Sequence, residues 1–142
     1  MLTPYDYTVI ALSAYAKATD AVCEKYSIPH RDLDILLFLH DNPNVATATD
    51  IVKKLNISKS YVSLSLRALQ ERGLVTGEFK GTDRKSIYLY VNDSANEMLA
   101  EADEARRQFS QAIVADFSDE EKKELLSYLS RIKKNLISLS KK

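Results

Sequence analysis

Residues 47–73 read TATDIVKKLNISKSYVSLSLRALQERG, and residues 74–91 continue as LVTGEFKGTDRKSIYLYV. The first run describes a short helix, a tight turn and a longer helix. Thr47 and Asp50 stand three residues apart, the spacing at which a hydroxyl and an acid cap a helix start reciprocally, and the helix they open runs through Leu55. Asn56 follows, a residue that tolerates the left-handed backbone a tight turn demands. Ser58 caps a second helix that extends to Arg72 and stops at Gly73. Ile51, Leu55, Ile57, Val62, Leu66 and Leu69 give these helices their packing faces. From Leu74 the pattern changes from helical to alternating. Leu74–Phe79 and Ser86–Val91 therefore read as two strands joined by a polar, Gly-containing turn at residues 80–85, a single β-hairpin.

Outward from this unit the chain is helical on both sides. Thr3–Tyr26 carries Leu2, Val9, Ala16 and Cys23 in one row and Tyr5, Leu12, Thr19 and Tyr26 in another. Such a stripe packs on its own domain or on a second chain. Ser27-Ile28-Pro29 breaks that helix, and His30–Asp41, apolar nearly all round, reads as a buried one ended by Asn42-Pro43-Asn44. On the other side, a helix from Ser94 to about Asp116 shows Ala95, Leu99, Ala102, Phe109 and Ile113 on one face. Ser118-Asp119-Glu120-Glu121 then opens a last helix with Leu125, Leu129, Ile132, Leu136 and Leu139 at three-four spacing.

With 142 residues and 45% hydrophobic content, the chain suits one compact domain, or a small domain with oligomerisation helices. Only 3 Gly and 3 Pro interrupt it, consistent with a mostly helical protein whose irregular patch lies near residues 73–85. Cys23 is a single cysteine, so no internal disulfide is expected. The N-terminal MLTPYDYTVI lacks the features of a signal peptide, and no apolar run reaches the roughly 18 residues of a membrane span. A cytoplasmic protein with no membrane partner is expected. The net charge of +0 conceals a pattern. Residues 44–92 hold eight cations against four acids, whereas residues 1–43 hold three against six. The positive excess lies where a phosphate footprint would have to be.

The outward-facing residues of the second helix are Lys59, Ser60, Tyr61, Ser63 and Arg67, a set of donors with one aromatic and no acid. Small hydroxyls let a helix approach base edges in a major groove, and Arg forks onto guanine O6 and N7. The helix start at Ser58 adds N–H groups and a dipole suited to a phosphate. Taken alone, this helix pair also fits an amphipathic unit with a polar surface. The hairpin tip, Gly81-Thr82-Asp83-Arg84-Lys85, places two adjacent cations on a protruding loop, where an Arg can enter a minor groove. Asp83 is expected to pair with a nearby Arg and stiffen the loop. Taken alone, the tip also fits a solvated turn. Recognition-type helix and basic hairpin in immediate succession are far more specific than either part.

Four runs carry a family resemblance: Asp50–Leu55, Ile57–Ser63, Leu66–Val75 and Asp83-Arg84-Lys85. Together they resemble the MarR family of bacterial and archaeal regulators, and the flanking helices match that family's layout over nearly the whole chain. The Asp-Arg wing tip is the most specific element. The resemblance implies a mainly α (α+β) winged helix-turn-helix fold. Residues 30–92 would form the DNA-binding domain, and residues 1–29 and 93–142 a helical dimerisation region. It further implies a homodimer on pseudo-palindromic double-stranded DNA, acting by default as a repressor. Control would come from a small molecule, often aromatic or phenolic, or from oxidation. The chain departs from the family after the wing, where a Thr and then a Gly are usual and Val91-Asn92-Asp93-Ser94-Ala95 stands instead. That alters the start of the next helix and leaves the DNA-reading residues untouched.

The DNA-binding set expected from this reading is Ser58, Lys59, Ser60, Tyr61, Ser63, Arg67, Thr82, Arg84 and Lys85, with Asp83 stabilising the wing. Tyr5, Tyr7, Tyr15 and Tyr26 could line an aromatic pocket or pack at a dimer interface. For an effector, Tyr15, His30 and Arg31 are the expected contacts. Cys23 lies on an apolar stripe and late in its helix, which favours a packing role over redox sensing. With one Cys and two His, no dedicated metal site or cofactor is expected, and His30 and His40 would cap or reach to solvent. No nucleophile–base set or phosphate-cradling Gly-rich loop points to an enzyme. The competing reading is a winged-helix protein-interaction module without specific DNA binding.

Overall fold

A hydroxyl and an acid three residues apart close the starts of three helices in reciprocal fashion, and these caps set the frame. In the computed structural model of the chain, residues 1–43 and 46–141 are described. Helix α1 spans Pro4–Tyr26, α2 His30–Asp41, α3 Ala48–Leu55 and α4 Lys59–Glu71. Strands β1 (Val75–Glu78) and β2 (Tyr88–Val91) follow, then a 3₁₀ turn at Asp93–Ala95, α5 (Asn96–Ala112) and α6 (Asp119–Ser140). Thr3 with Asp6, Thr47 with Asp50 and Ser118 with Glu121 cap α1, α3 and α6. At α3 the Thr47 N–H donates to Asp50 at 2.9 Å and the Asp50 N–H donates to Thr47 Oγ1 at 3.3 Å. Asn44, expected to help end α2, lies outside the described residues.

Between α3 and α4 the chain turns at Asn56, whose φ of 51° is left-handed, and Ser58 Oγ then accepts the Tyr61 N–H at 3.3 Å. At the far end of α4, Gly73 adopts φ +70°. This lets the Leu74 N–H reach the Leu69 carbonyl and the Gly73 N–H reach that of Gln70, both at 2.9 Å. Two of the last carbonyls of α4, those of Leu69 and Gln70, are thereby satisfied. The Arg72 guanidinium donates to the carbonyls of Tyr26 (2.7 Å) and Ser27 (3.1 Å), tying this end of α4 to the end of α1.

The hairpin is antiparallel, with Val75 opposite Val91 and Glu78 opposite Tyr88. Its strands are shorter than the alternating pattern predicts, because the tip spends its backbone groups on itself. The Asp83 N–H bonds the Lys80 carbonyl at 3.0 Å, and the Lys85 N–H bonds the Asp83 carboxylate at 2.8 Å. On its other side β2 meets residues 46–47: the Leu89 N–H donates to the Ala46 carbonyl at 2.9 Å, and Thr47 bridges Tyr88.

The chain divides into residues 1–107 and 108–142. In the first unit, α2 buries Leu33, Ile35, Leu36, Leu37 and Leu39. A helix apolar all round needs cover on every side. The core therefore takes in Val22 and Cys23 of α1 and Met98, Leu99 and Ala102 of α5, together with Ile51, Val62, Leu69, Val75 and Leu89. α1 and the start of α5 thus belong to the same compact unit as the winged segment. In the second unit α6 has no buried residue. Two boundaries also differ from expectation. The Ser94 hydroxyl bonds the Gly73 carbonyl at 2.6 Å, so residues 93–95 form a 3₁₀ turn and the α-helix starts at Asn96. At the other end, α5 stops at Ala112 rather than near Asp116. Val114 and Ala115 bond three residues back, and such tighter turns end an α-helix.

Candidate nucleic-acid interface

At about 100° per residue, the rotation of an α-helix, the faces of α4 sort themselves. Val62, Ser65, Leu66 and Leu69 are buried and define the inward side. Directly opposite, in one i, i+4, i+7 row, stand Ser60, Leu64 and Arg67, all exposed. Lys59 and Ser63 flank this row on one side and Tyr61 on the other, also exposed. From Ser58 to Arg67 there is no carboxylate. The sequence reading missed Leu64, which is 61% exposed. Projecting the helix from its apolar positions would have found it; the sequence reading named it in neither the packing face nor the outward set.

Tyr61 does not stand free. The Arg31 guanidinium, from the first turn of α2, lies 3.9 Å from its ring centroid. In the wing, Thr82, Asp83, Arg84 and Lys85 are all exposed. The Arg84 guanidinium lies 5.2 Å from the Phe79 ring centroid, which directs its stem along the hairpin. The expected Asp83–Arg pair is not formed among the described residues. Asp83 instead accepts the Lys85 N–H, because an Asp carboxylate reaches a backbone N–H two residues ahead without ordering a long side chain.

A cavity of about 620 Å³ lies against α2, with α1, the α3–α4 turn and α5 contributing walls. Tyr15, His30 and Arg31 line it together, as do Asp34 and Arg106, which the sequence reading did not single out. His30 Nε2 lies 2.7 Å from Asp20 Oδ1 and 3.0 Å from the Ala16 carbonyl, binding the start of α2 to α1. Burial pushes the Asp34 carboxyl above the usual Asp range, partly offset by His30 and Arg106. Burial and the charge of Asp34 also push the Tyr15 hydroxyl up. Tyr5 and Tyr7 are exposed on α1, and of the four tyrosines considered there only Tyr15 lines the cavity.

At one edge of the cavity Arg106 forks onto Asp41, at 2.8 and 3.0 Å, and also bonds Asp103. These bonds hold the Arg106 guanidinium well above its ordinary value and the Asp41 carboxyl below the usual range. His40 Nε2 lies 3.2 Å from Asp103. His40, Asp41 and Asp103 have donor atoms within 4.8 Å of one another, but both carboxylates already bond a guanidinium, so the local positive charge is Arg106. Cys23 is buried, and desolvation followed by Asp34 and Asp20 pushes its thiol up, away from the thiolate that oxidation chemistry uses. Among the described residues no helix is long and apolar enough to cross a membrane.

A family model described as the MarR family matches residues 26–86, from the end of α1 to the wing. The chain is 28% identical over 124 residues to the HTH-type transcriptional regulator PecS of Dickeya dadantii (strain 3937), covering 86% of this chain and 75% of that protein. Its fold is similar to a putative MarR family transcriptional regulator from Listeria monocytogenes solved with a 26mer DNA. There the TM-score is 0.81 at 16% identity, over 96% of this chain and 89% of the other. It is also similar to a Staphylococcus aureus MarR solved with salicylate and kanamycin, with TM-score 0.75 and 23% identity over 94% and 90% of the two chains. Helix, turn, helix and the start of the wing are the segment that resembles the MarR family, and the fold over nearly the whole chain is similar to that of the solved winged helix-turn-helix proteins.

Proposed function

We propose that the protein is a homodimeric, sequence-specific double-stranded DNA-binding regulator of transcription that works in the cytoplasm as a repressor. The single observation that carries the reading is the acid-free outer face of α4 followed at once by a wing with Arg84 and Lys85 at its tip. In this reading α4 enters the major groove, the start of α4 and Lys59 hold phosphates, and Arg84 enters the neighbouring minor groove. Dimerisation is supported by α6, whose Leu129, Ile132, Leu136 and Leu139 are all about half exposed or more. The exposed Tyr5, Val9 and Leu12 of α1 support it as well. A footprint on the DNA flanking its own gene tests the reading. A protected pseudo-palindrome is expected, and uniform coating or no protection contradicts it.

The cavity beside α2 is the effector site in this account, with Tyr15, His30 and Arg31 as ligand contacts. Arg31 both lines the cavity and packs on Tyr61 of α4, so a ligand that pairs with its guanidinium alters the support of a DNA-facing side chain. Salicylate is a suitable probe, since a structural relative was solved with it. Release of bound duplex by salicylate is expected to weaken in Arg31→Ala. Release unchanged by alanine at each of the three positions contradicts this assignment.

A further inference from the structure

We propose that Leu64 is a base-reading residue that recognises the C5-methyl group of a thymine; this rests on the DNA-binding reading above. Leu64 is at the centre of the outward row of α4, between Ser60 one turn before it and Arg67 nearly one turn after. It is 61% exposed, and its neighbours on that face are hydroxyls and a guanidinium. When such a helix enters a major groove, residues towards its N-terminal end contact the base edges, and Leu64 lies in the first half of α4 on the outward side.

A leucine there has no hydrogen bond to offer a phosphate, a guanine or an adenine. Of the groups the major groove displays, the thymine methyl is the apolar one that an aliphatic side chain can cover. Burying leucine against any other base edge would strip water from an acceptor or donor and return nothing. Leu64 therefore favours one base and penalises the rest, a specificity function that Ser60 and Ser63, which bond several base edges, do not supply.

The spacing fixes where that base must be. Leu64 and Arg67 are about 4.5 Å apart along the helix axis, and base pairs rise about 3.4 Å each. The thymine read by Leu64 lies within about two base pairs of the guanine read by Arg67, once in each half-site of a dimeric operator.

The test uses the full-length protein and the tightest duplex it selects from a random pool. Each thymine in that duplex is replaced in turn by deoxyuridine, which removes the methyl and leaves the hydrogen-bonding edge intact. One deoxyuridine per half-site, close to the guanine that Arg67→Ala identifies, is expected to weaken wild-type binding about fourfold for one half-site and about fifteenfold for both, from the transfer value of a methyl group. Leu64→Ala is expected to show no further loss on the same replacement. Alanine is the best helix former and the site is exposed, so the variant keeps its fold, which its unfolding temperature checks. If Leu64→Ala retains the full deoxyuridine penalty, or the selected site has no thymine beside that guanine, the proposal is overturned while DNA binding stands. If the wild type selects no duplex at all, the DNA-binding reading falls, and this assignment with it.

Discussion

Arg67 and Arg84 carry the same charge in different settings, and their variants should differ in kind. Arg67 is in the outward row of α4, where a fork onto guanine discriminates bases. Arg67→Ala is expected to cost about 1–3 kcal/mol and to flatten preference at one position per half-site. Arg84, at the wing tip, is expected to lower affinity for all sites on replacement by alanine. Competition titrations with single-base operator variants separate the two, and an Arg67→Ala loss equal for every sequence would make Arg67 a phosphate contact. Asp34 gives a test through pH. Its carboxyl is raised in the fold by burial, so the ionised form destabilises the folded state. The penalty is absent well below the ordinary Asp value, where both states are protonated, and complete once the pH exceeds the folded value. Asp34→Asn is therefore expected to raise the unfolding temperature at pH 7 and to leave it unchanged near pH 3. The opposite order would mean that Asp34 is held ionised by a partner. No local pattern marked Asp34 or Arg106 in advance, because their significance comes from elements brought together across the fold.

At the scale of elements, local chemistry and distant chemistry separate cleanly. The caps at Thr47 and Ser118, the turn at Asn56 and the stop at Gly73 each depend on residues within a few positions, and all were legible in the sequence. The lengths of the strands were not, since they depend on how the tip uses Asp83 and on the pairing of β2 with residues 46–47. Nor was the end of α5, which tighter turns at residues 113–117 decide. Gly73 offers the sharpest stability test. Nothing lies within 4 Å of a Cβ placed there, so Gly73→Ala meets no clash and pays only for left-handed backbone. A cost of about 1 kcal/mol is expected, which lowers the unfolding temperature by roughly 4 °C. An unchanged temperature would show that this residue tolerates another conformation.

At the scale of the molecule, the neutral net charge and pI of about 6.7 give no sign of a nucleic-acid partner. The positive charge matters through its placement on α4 and the wing. The candidate site was legible because helix, turn, helix and hairpin are consecutive in the chain, which is rare among binding sites. The cover for α2, by contrast, comes from both sides of the winged segment and is not local in the chain. The exposed apolar side chains of α6 predict a second copy as their partner. Ile132→Glu, at a position 51% exposed in the single chain, is expected to shift the protein from dimer to monomer in sedimentation and to weaken duplex binding. An unchanged mass would remove α6 from the dimer interface. Neutralisation of duplex phosphates by the face formed by α4 and the wing is read out by titrating duplex affinity against salt. Lys59 and Lys85 on each of two protomers predict that log affinity falls linearly with log salt, with a slope of about −3.6 or steeper, at about −0.9 per phosphate neutralised. A slope near zero, or no duplex binding at low salt, would contradict the account and favour a protein-interaction module.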